Sequence, residues 1–164
     1  MEKLTHINKN GDPTMVDVSE KIITARVAVA QSIVELGESI MAELKNARLP
    51  DGQGEIYTKK GPVFQTAIIA GILGAKKTAE LVPFCHPVGM DDCNIEIATK
   101  GTQAVITCTA KVEAKTGIEM EAITGASIAA ITIYDMCKAM SHDIEILSTR
   151  LMKKTGGKKD FKRA

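Results

Sequence analysis

Residues Asn94 to Glu113, NIEIATKGTQAVITCTAKVE, decide the fold, because two alternating runs flank a turn signal at Lys100 and Gly101. The pattern predicts strands over Asn94–Thr99 and Ala104–Glu113, paired as an antiparallel hairpin. On the second strand Ile106, Cys108, Ala110 and Val112 share one face and Thr107, Thr109, Lys111 and Glu113 the other, which makes Cys108 a small core residue. Working outward, a long apolar helix is expected from about Glu119 to Met140, followed by a strand through Ile144, Ile146 and Leu147. Upstream, Pro62 starts a helix to about Glu80 that buries Phe64, Ile68, Ile72 and Ala75. Residues Ile22 to Leu36 fit either helical or strand spacing, and their β-branched content favours a strand. A short helix over Gly37–Ala47 follows, ended by the turn-rich LPDGQG. The order strand, helix, helix, strand, strand, helix, strand predicts a single α+β domain, a ferredoxin-like antiparallel sheet packed with helices.

The chain has 164 residues, of which 45% are hydrophobic and 25% charged, enough for one core in one domain spanning 1–164. A formal net charge of +1 argues against a general nucleic-acid coat or a polybasic membrane anchor, and 3% aromatic residues without tryptophan argue against a base-stacking platform. Cys85, Cys93, Cys108 and Cys137 form no CxxC pair, so reduced thiols are expected and no metal site. No apolar run reaches membrane-spanning length and the start, MEKLTHINKNGDP, is polar, which points to the cytoplasm. The first 15 or so residues are expected to be mobile. Lys153–Arg163, KKTGGKKDFKR, carries six basic residues and one acid. This tail, 153–164, is read as a solvated end, with a flexible arm reaching a phosphate as the alternative.

Candidate chemistry begins at Leu81–Met90, LVPFCHPVGM, where Pro83 and Pro87 force a fixed, irregular corner around Phe84, Cys85 and His86. His86 is either a ligand-facing group or a histidine satisfied at a helix end. The 119–140 helix is apolar or small nearly all round, so it should be buried on two sides, the second against another subunit. One stripe on it reads Glu121, Thr124, Ile128, Ile131, Asp135, Lys138 and His142. Asp135 and Lys138 continue an apolar line, which favours a functional pair over a surface one. Glu121 lies fourteen residues before Asp135, roughly 21 Å along the helix, too far for one small substrate in one subunit. Glu119 and Glu121 also suit the positive helix N-terminus without any further role. Lys59, Lys60 and Gly61 enter the Pro62 helix where amides and cations can hold an anion. GILGAKKT at Gly71–Thr78 lacks phosphate-loop spacing and sits in a helical pattern, so phosphate recognition must come from dispersed lysines, Arg26, His86 or the tail.

Several motifs occur together in order: LTHIN at Leu4, MVDVS at Met15, KGPVFQTAIIAG at Lys60, PFCHP at Pro83, TGIEMEAIT at Thr116, IYDMCKA at Ile133 and TGGKKDFK at Thr155. Over nearly its whole length the chain thereby resembles the cyclic pyranopterin monophosphate synthases, also called molybdenum cofactor biosynthesis protein C. It departs from the family at Phe84, where leucine is common, at Thr155 in the glycine tail, and over a variable segment from about Lys45 to Thr58. The resemblance implies a lyase that turns a cyclised dihydroguanosine triphosphate into cyclic pyranopterin monophosphate and pyrophosphate. It implies Asp135 as active-site acid, Lys60 and Lys138 as acid/base lysines, Phe84, Cys85, His86, Glu119, Met120 and Glu121 as substrate contacts, and Arg26 at the phosphates. Lysines crowded by other cations would have lowered pKa values. It further implies no required cofactor, with Mg²⁺ possible beside the triphosphate, and a homohexamer built as a trimer of dimers with sites at the dimer interface. The competing class is a noncatalytic nucleotide-binding regulatory oligomer on the same fold, in which Lys138→Met would change affinity and cost no chemistry.

Overall fold

The computed structural model describes residues 7, 10–46 and 54–163. In chain order its elements are β1 (Thr24–Glu35), α1 (Gly37–Asn46), β2 (Tyr57–Thr58), β3 (Gly61–Pro62), α2 (Val63–Lys76), α3 (Thr78–Leu81), β4 (Asp92–Lys100), β5 (Gln103–Ala114), α4 (Glu119–Cys137), β6 (Glu145–Thr155) and β7 (Phe161–Lys162). The hairpin forms about the expected turn, with Ile95 opposite Cys108 and Ile97 opposite Ile106, and Gly101 takes the positive φ of that turn. The ambiguous run 22–36 is a strand, and a central one. β5 and β6 flank β1 on either side, both antiparallel, so its backbone groups are paired along both edges. The main sheet has the order β4-β5-β1-β6-β7, the ferredoxin-like arrangement, and β2 and β3 form a separate two-stranded ribbon. No helix among the described residues is long and apolar enough to cross a membrane.

Alternation puts Ala28, Ala30, Ser32 and Val34 of β1 and Ile106, Cys108, Ala110 and Val112 of β5 on the buried face, beneath α4, while α2 lies beside α4 over β4. Small residues let these layers approach closely. A Cβ on Gly125 of α4 would lie 2.8 Å from Cys108 Sγ, and one on Gly71 of α2 would lie 2.8 Å from the Gly125 carbonyl oxygen. Ala122, Ala126, Ala129 and Ala130 complete the inner side of α4, all fully buried. The second flank of α4, expected to await another subunit, is covered in part by α2 of the same chain; Ile131 and Tyr134 stay exposed.

Three boundaries differ from the sequence pattern. The helix begun near Pro62 breaks at Lys77, which leaves helical geometry, while the buried Thr78 hydroxyl donates to the Ala75 carbonyl. α4 stops at Cys137, short of Met140, in a tighter turn closed by Met140 N–H to the Cys137 carbonyl. The basic tail departs from a free end: β6 carries Lys153 and Lys154 along β1, and after a turn at Gly156 (φ 84°) β7 pairs back on β6. β6 keeps its place against β1 through two register shifts, at Val29/Ala30 and Ile33/Val34. Of the N-terminal segment 1–15, residues 1–6, 8 and 9 lie outside the described residues, and Ile7 bridges Pro13. Residues 47–53 of the variable segment, with the predicted end of the first helix at Ala47, also lie outside them.

Because Gly125 sits against Cys108 Sγ, the Ala75 methyl and the Gly71 carbonyl, Gly125→Val is expected to cost about 1–3 kcal/mol through overpacking. Urea unfolding monitored by circular dichroism measures it; an unchanged midpoint would contradict this packing.

Candidate active site

Two clusters stand at opposite ends of α4. At its C-terminal end Asp135 lies between two lysines: Lys60 Nζ is 2.6 Å from Oδ2 and Lys138 Nζ 2.7 Å from Oδ1. Lys60 also donates to the Asp135 backbone carbonyl at 3.1 Å. Lys138 comes from the turn after α4, three residues on, whereas Lys60 comes from the tip of the β2–β3 ribbon, 75 residues away in sequence. That tip is closed by Lys60 N–H to Thr58 Oγ1 and by Thr58 Oγ1 to the Gly61 carbonyl, with Gly61 at φ 112°.

The stripe from Glu121 to Lys138 does not remain in the core. Glu121 is 3% exposed, but the side chains of Asp135 and Lys138 are 50% and 56% exposed. A stripe stepping alternately by three and four drifts around a 3.6-residue helix, and here it ends half in solvent. The hydrogen bond from Lys138, then that from Lys60, holds the Asp135 carboxyl at about 2 against an ordinary 3.8. The carboxylate in turn raises Lys138, first by hydrogen bonding and then by charge. The lowered lysine expected from cationic crowding is therefore not found at Lys138, because the intervening acid outweighs it.

At the N-terminal end of α4 the proline corner meets the helix. Cys85 Sγ donates to Glu121 Oε1 at 3.7 Å, while Glu121 Oε2 is buried with no hydrogen-bond partner among the described residues. Burial is the main reason the Glu121 carboxyl is raised, opposed first by its own backbone N–H and then by the Cys85 bond. Burial and then the Glu121 charge push the Cys85 thiol to about 11. Glu121 borders a cleft of about 320 Å³ that also takes in Lys76, Thr78, Pro87 and Gly89. His86 Nε2 donates to the Val16 carbonyl at 2.7 Å and lines an adjoining cleft of about 380 Å³ with Val18, Glu113 and Lys115. Lys115 Nζ holds the Ser19 carbonyl at 2.7 Å, so the segment from Val16 to Ser19 is fastened at both ends. Glu119 pairs with Lys154 at 3.0 Å, and Phe84 and Met120 are exposed. Arg26 donates to the Ala114 and Lys115 carbonyls and borders a small recess with Glu119, Lys154 and Gly157.

One chain thus joins Lys60, Asp135 and Lys138, and separately joins Cys85, Glu121 and their neighbours, roughly 21 Å apart along α4. Among the described residues no group of three or more His, Cys, Asp or Glu is placed to hold a metal ion. Lys115 and Lys154 carry no signal in the sequence pattern: the first follows a strand of ordinary alternation, and the second lies within the basic tail. Glu55, which is 2% exposed, carries none either; its carboxylate accepts from Ile56, Phe64 and Gln65 N–H.

The Asp135 pair makes stability pH-dependent with a definite sign. Its depressed pKa contributes stability that is fully present above 3.8 and is lost as the pH falls through about 2. Asp135→Asn should therefore flatten the stability profile of the folded protein between these values, as measured by thermal melts across pH; an unchanged slope would show that the pair does not form in solution.

Comparison with known proteins covers both clusters. The MoaC family profile matches residues 15–157. The cyclic pyranopterin monophosphate synthase of Xanthomonas campestris pv. campestris (strain 8004) is 47% identical over 160 residues, covering 97% of this chain and 93% of that protein. The synthase of Helicobacter hepaticus is 45% identical, covering 98% of both chains. The molybdenum cofactor biosynthesis protein 1 of Dictyostelium discoideum is 47% identical over 95% of this chain, which spans only 26% of that longer protein. With the match running through Lys60, the proline corner and the whole of α4, the chain belongs to the MoaC family.

Proposed function

We propose that this chain is a cyclic pyranopterin monophosphate synthase, a lyase of molybdenum cofactor biosynthesis that converts (8S)-3',8-cyclo-7,8-dihydroguanosine 5'-triphosphate to cyclic pyranopterin monophosphate and pyrophosphate. The observation that carries the proposal is the Lys60–Asp135–Lys138 array, two cations held by one carboxylate on a half-exposed surface. Opening and rebuilding a purine-derived ring and closing a cyclic phosphate demand several proton transfers beside a polyanion. Lys138, raised by Asp135, rests as a proton donor and a cation for phosphate oxygens. Displacement of Asp135 by the substrate's phosphates would free either lysine to exchange protons. At the other cluster Glu121, raised by burial and with one oxygen unpaired among the described residues, can accept or donate a proton close to the substrate. In this reading Cys85, His86, Glu119, Met120 and Phe84 supply the remaining substrate contacts, and Arg26 meets phosphates. The chemistry needs no redox group and requires no cofactor; Mg²⁺ beside the triphosphate is compatible with it. The cytoplasm is the compartment in which we place the reaction.

The two clusters serve one substrate if they come from different subunits. α2 and α4 leave Ile69, Leu73, Ile131 and Tyr134 exposed, with Ile69 at 62%, an apolar surface suited to a second copy. We therefore extend the proposal to a homohexamer, a trimer of dimers whose sites take Lys60, Asp135 and Lys138 from one subunit and Cys85, His86 and Glu121 from its neighbour.

Supplied with the cyclised triphosphate, wild-type protein should release pyrophosphate and form the pterin, and Lys60→Ala should lose about 10²–10⁴-fold in kcat. Tight binding without turnover by the wild type would defeat the proposal in favour of a binding protein. Lys60 and Asp135 pair within one chain, so the informative mixture is Lys60→Ala with Glu121→Ala. Refolded together in equal amounts, two inactive variants should recover about a quarter of wild-type activity, because one mixed site in two unites both intact clusters. No recovery would place both clusters of each site in a single chain.

A further inference from the structure

Glu55 is a buried carboxylate with no part in the chemistry described above, and its surroundings give it a task. α2 begins with Pro62 as N-cap, a residue that offers no side-chain acceptor to the first N–H groups of the helix. Glu55 supplies the missing acceptors from seven residues upstream: Oε1 takes Phe64 N–H at 2.9 Å and Ile56 N–H at 2.7 Å, and Oε2 takes Gln65 N–H at 3.0 Å. Val63 N–H adds a bond to the Ile56 carbonyl at 2.9 Å. Three of these bonds, from Val63, Phe64 and Gln65 N–H, tie residues 55–56 to residues 63–65 and so close the base of the β2–β3 ribbon, whose tip is Lys60. The negative charge also suits the helix N-terminus it faces. Burial, and after it the charge of Glu55, raises the thiol of Cys137 on α4, next to Lys138. Glu55 thus stands between the start of α2 and the end of α4, where the ribbon must deliver its lysine.

We infer that Glu55 is a positioning residue for Lys60: by capping α2 across the base of the ribbon it sets the reach of the Lys60 ammonium to Asp135. The ribbon has only two residues in each strand, too few to hold its own geometry without the closed base. Opening the base would leave Lys60 on a mobile loop while Asp135 and Lys138, carried by α4 and its terminal turn, remain in place. The significance for turnover rests on the synthase proposal; the contact itself does not.

The test reads the Asp135 carboxyl carbon in uniformly ¹³C-aspartate-labelled full-length protein, identified by its loss in Asp135→Asn, and titrates it in wild type, Glu55→Gln, Lys60→Met and the double variant. Glu55→Gln keeps size and shape but turns one acceptor oxygen into a donor facing an N–H. Both single variants should raise the titration midpoint by a similar amount, and the double variant should match Lys60→Met, since nothing remains to position. In the assay kcat of Glu55→Gln should fall about ten- to a hundredfold with KM within about twofold. A midpoint in Glu55→Gln equal to wild type, or a double variant that adds the two shifts, overturns the inference and leaves Glu55 a cap only. If Glu55→Gln does not fold by circular dichroism, Glu55→Asp, which keeps the charge and shortens the reach, is judged by the same midpoint. The titration needs no substrate, so its failure refutes the positioning role, whereas an inactive wild type with the expected titration refutes only the synthase proposal.

Discussion

The close seating of α4 against both the sheet and α2 is the constraint on which the rest of the molecule depends. Glycine and alanine along its inner side, at Ala122, Gly125, Ala126, Ala129 and Ala130, bring backbone to within contact distance of Cys108 on β5 and Gly71 on α2. Small side chains contribute little apolar area each, so the layer is stabilised by close contact over many positions and tolerates little added volume. A helix held this tightly acts as a rigid ruler of nineteen residues. Its two ends carry Glu121 and Asp135, and the separation of the two clusters follows from the seating of the helix.

The two ends differ in their solvent. Glu121 is enclosed beside the proline corner, and burial dominates its behaviour; Asp135 stands half in water, and its lysine partners dominate instead. One helix therefore offers an acid inclined to hold its proton and an acid inclined to shed it. Screening by water and salt weakens the exposed array, leaving it open to exchange partners with an incoming polyanion.

Much of this was legible in the residues. The hairpin, the central strand and the layered order followed from period-two alternation set against helical spacing, and the corner at Pro83–Pro87 followed from the restricted backbone of proline. The association of Asp135 with Lys138 was visible as a helical spacing; that of Asp135 with Lys60 was not, because 75 residues separate them and only the fold closes the gap. The family resemblance named Lys60 without explaining how it arrives. The extent of β6 was hidden for a different reason. Its second half, STRLMKKT, carries charge where a half-buried strand should alternate, and composition there pointed to a solvated end. The role of Glu55 was hidden because a cap is sought beside the first helical residue, and this one acts from across a ribbon.

The two register shifts between β6 and β1 have a consequence for which side of the sheet each residue of that strand occupies. Opposite the buried positions Val34, Ser32, Ala30 and Ala28 stand Ile146, Thr149, Leu151 and Lys154, a spacing of three, two and three. Each extra residue inverts the inside–outside parity of everything after it, and the second inversion cancels the first. Strict alternation from Ile146 would have turned Arg150 toward the helices; the paired inversions leave Arg150 exposed and still bring Lys154 round to Glu119 at the head of α4. The strand thus works as a frame-shifted code read in three segments, in which parity rather than composition decides which cation meets the acid.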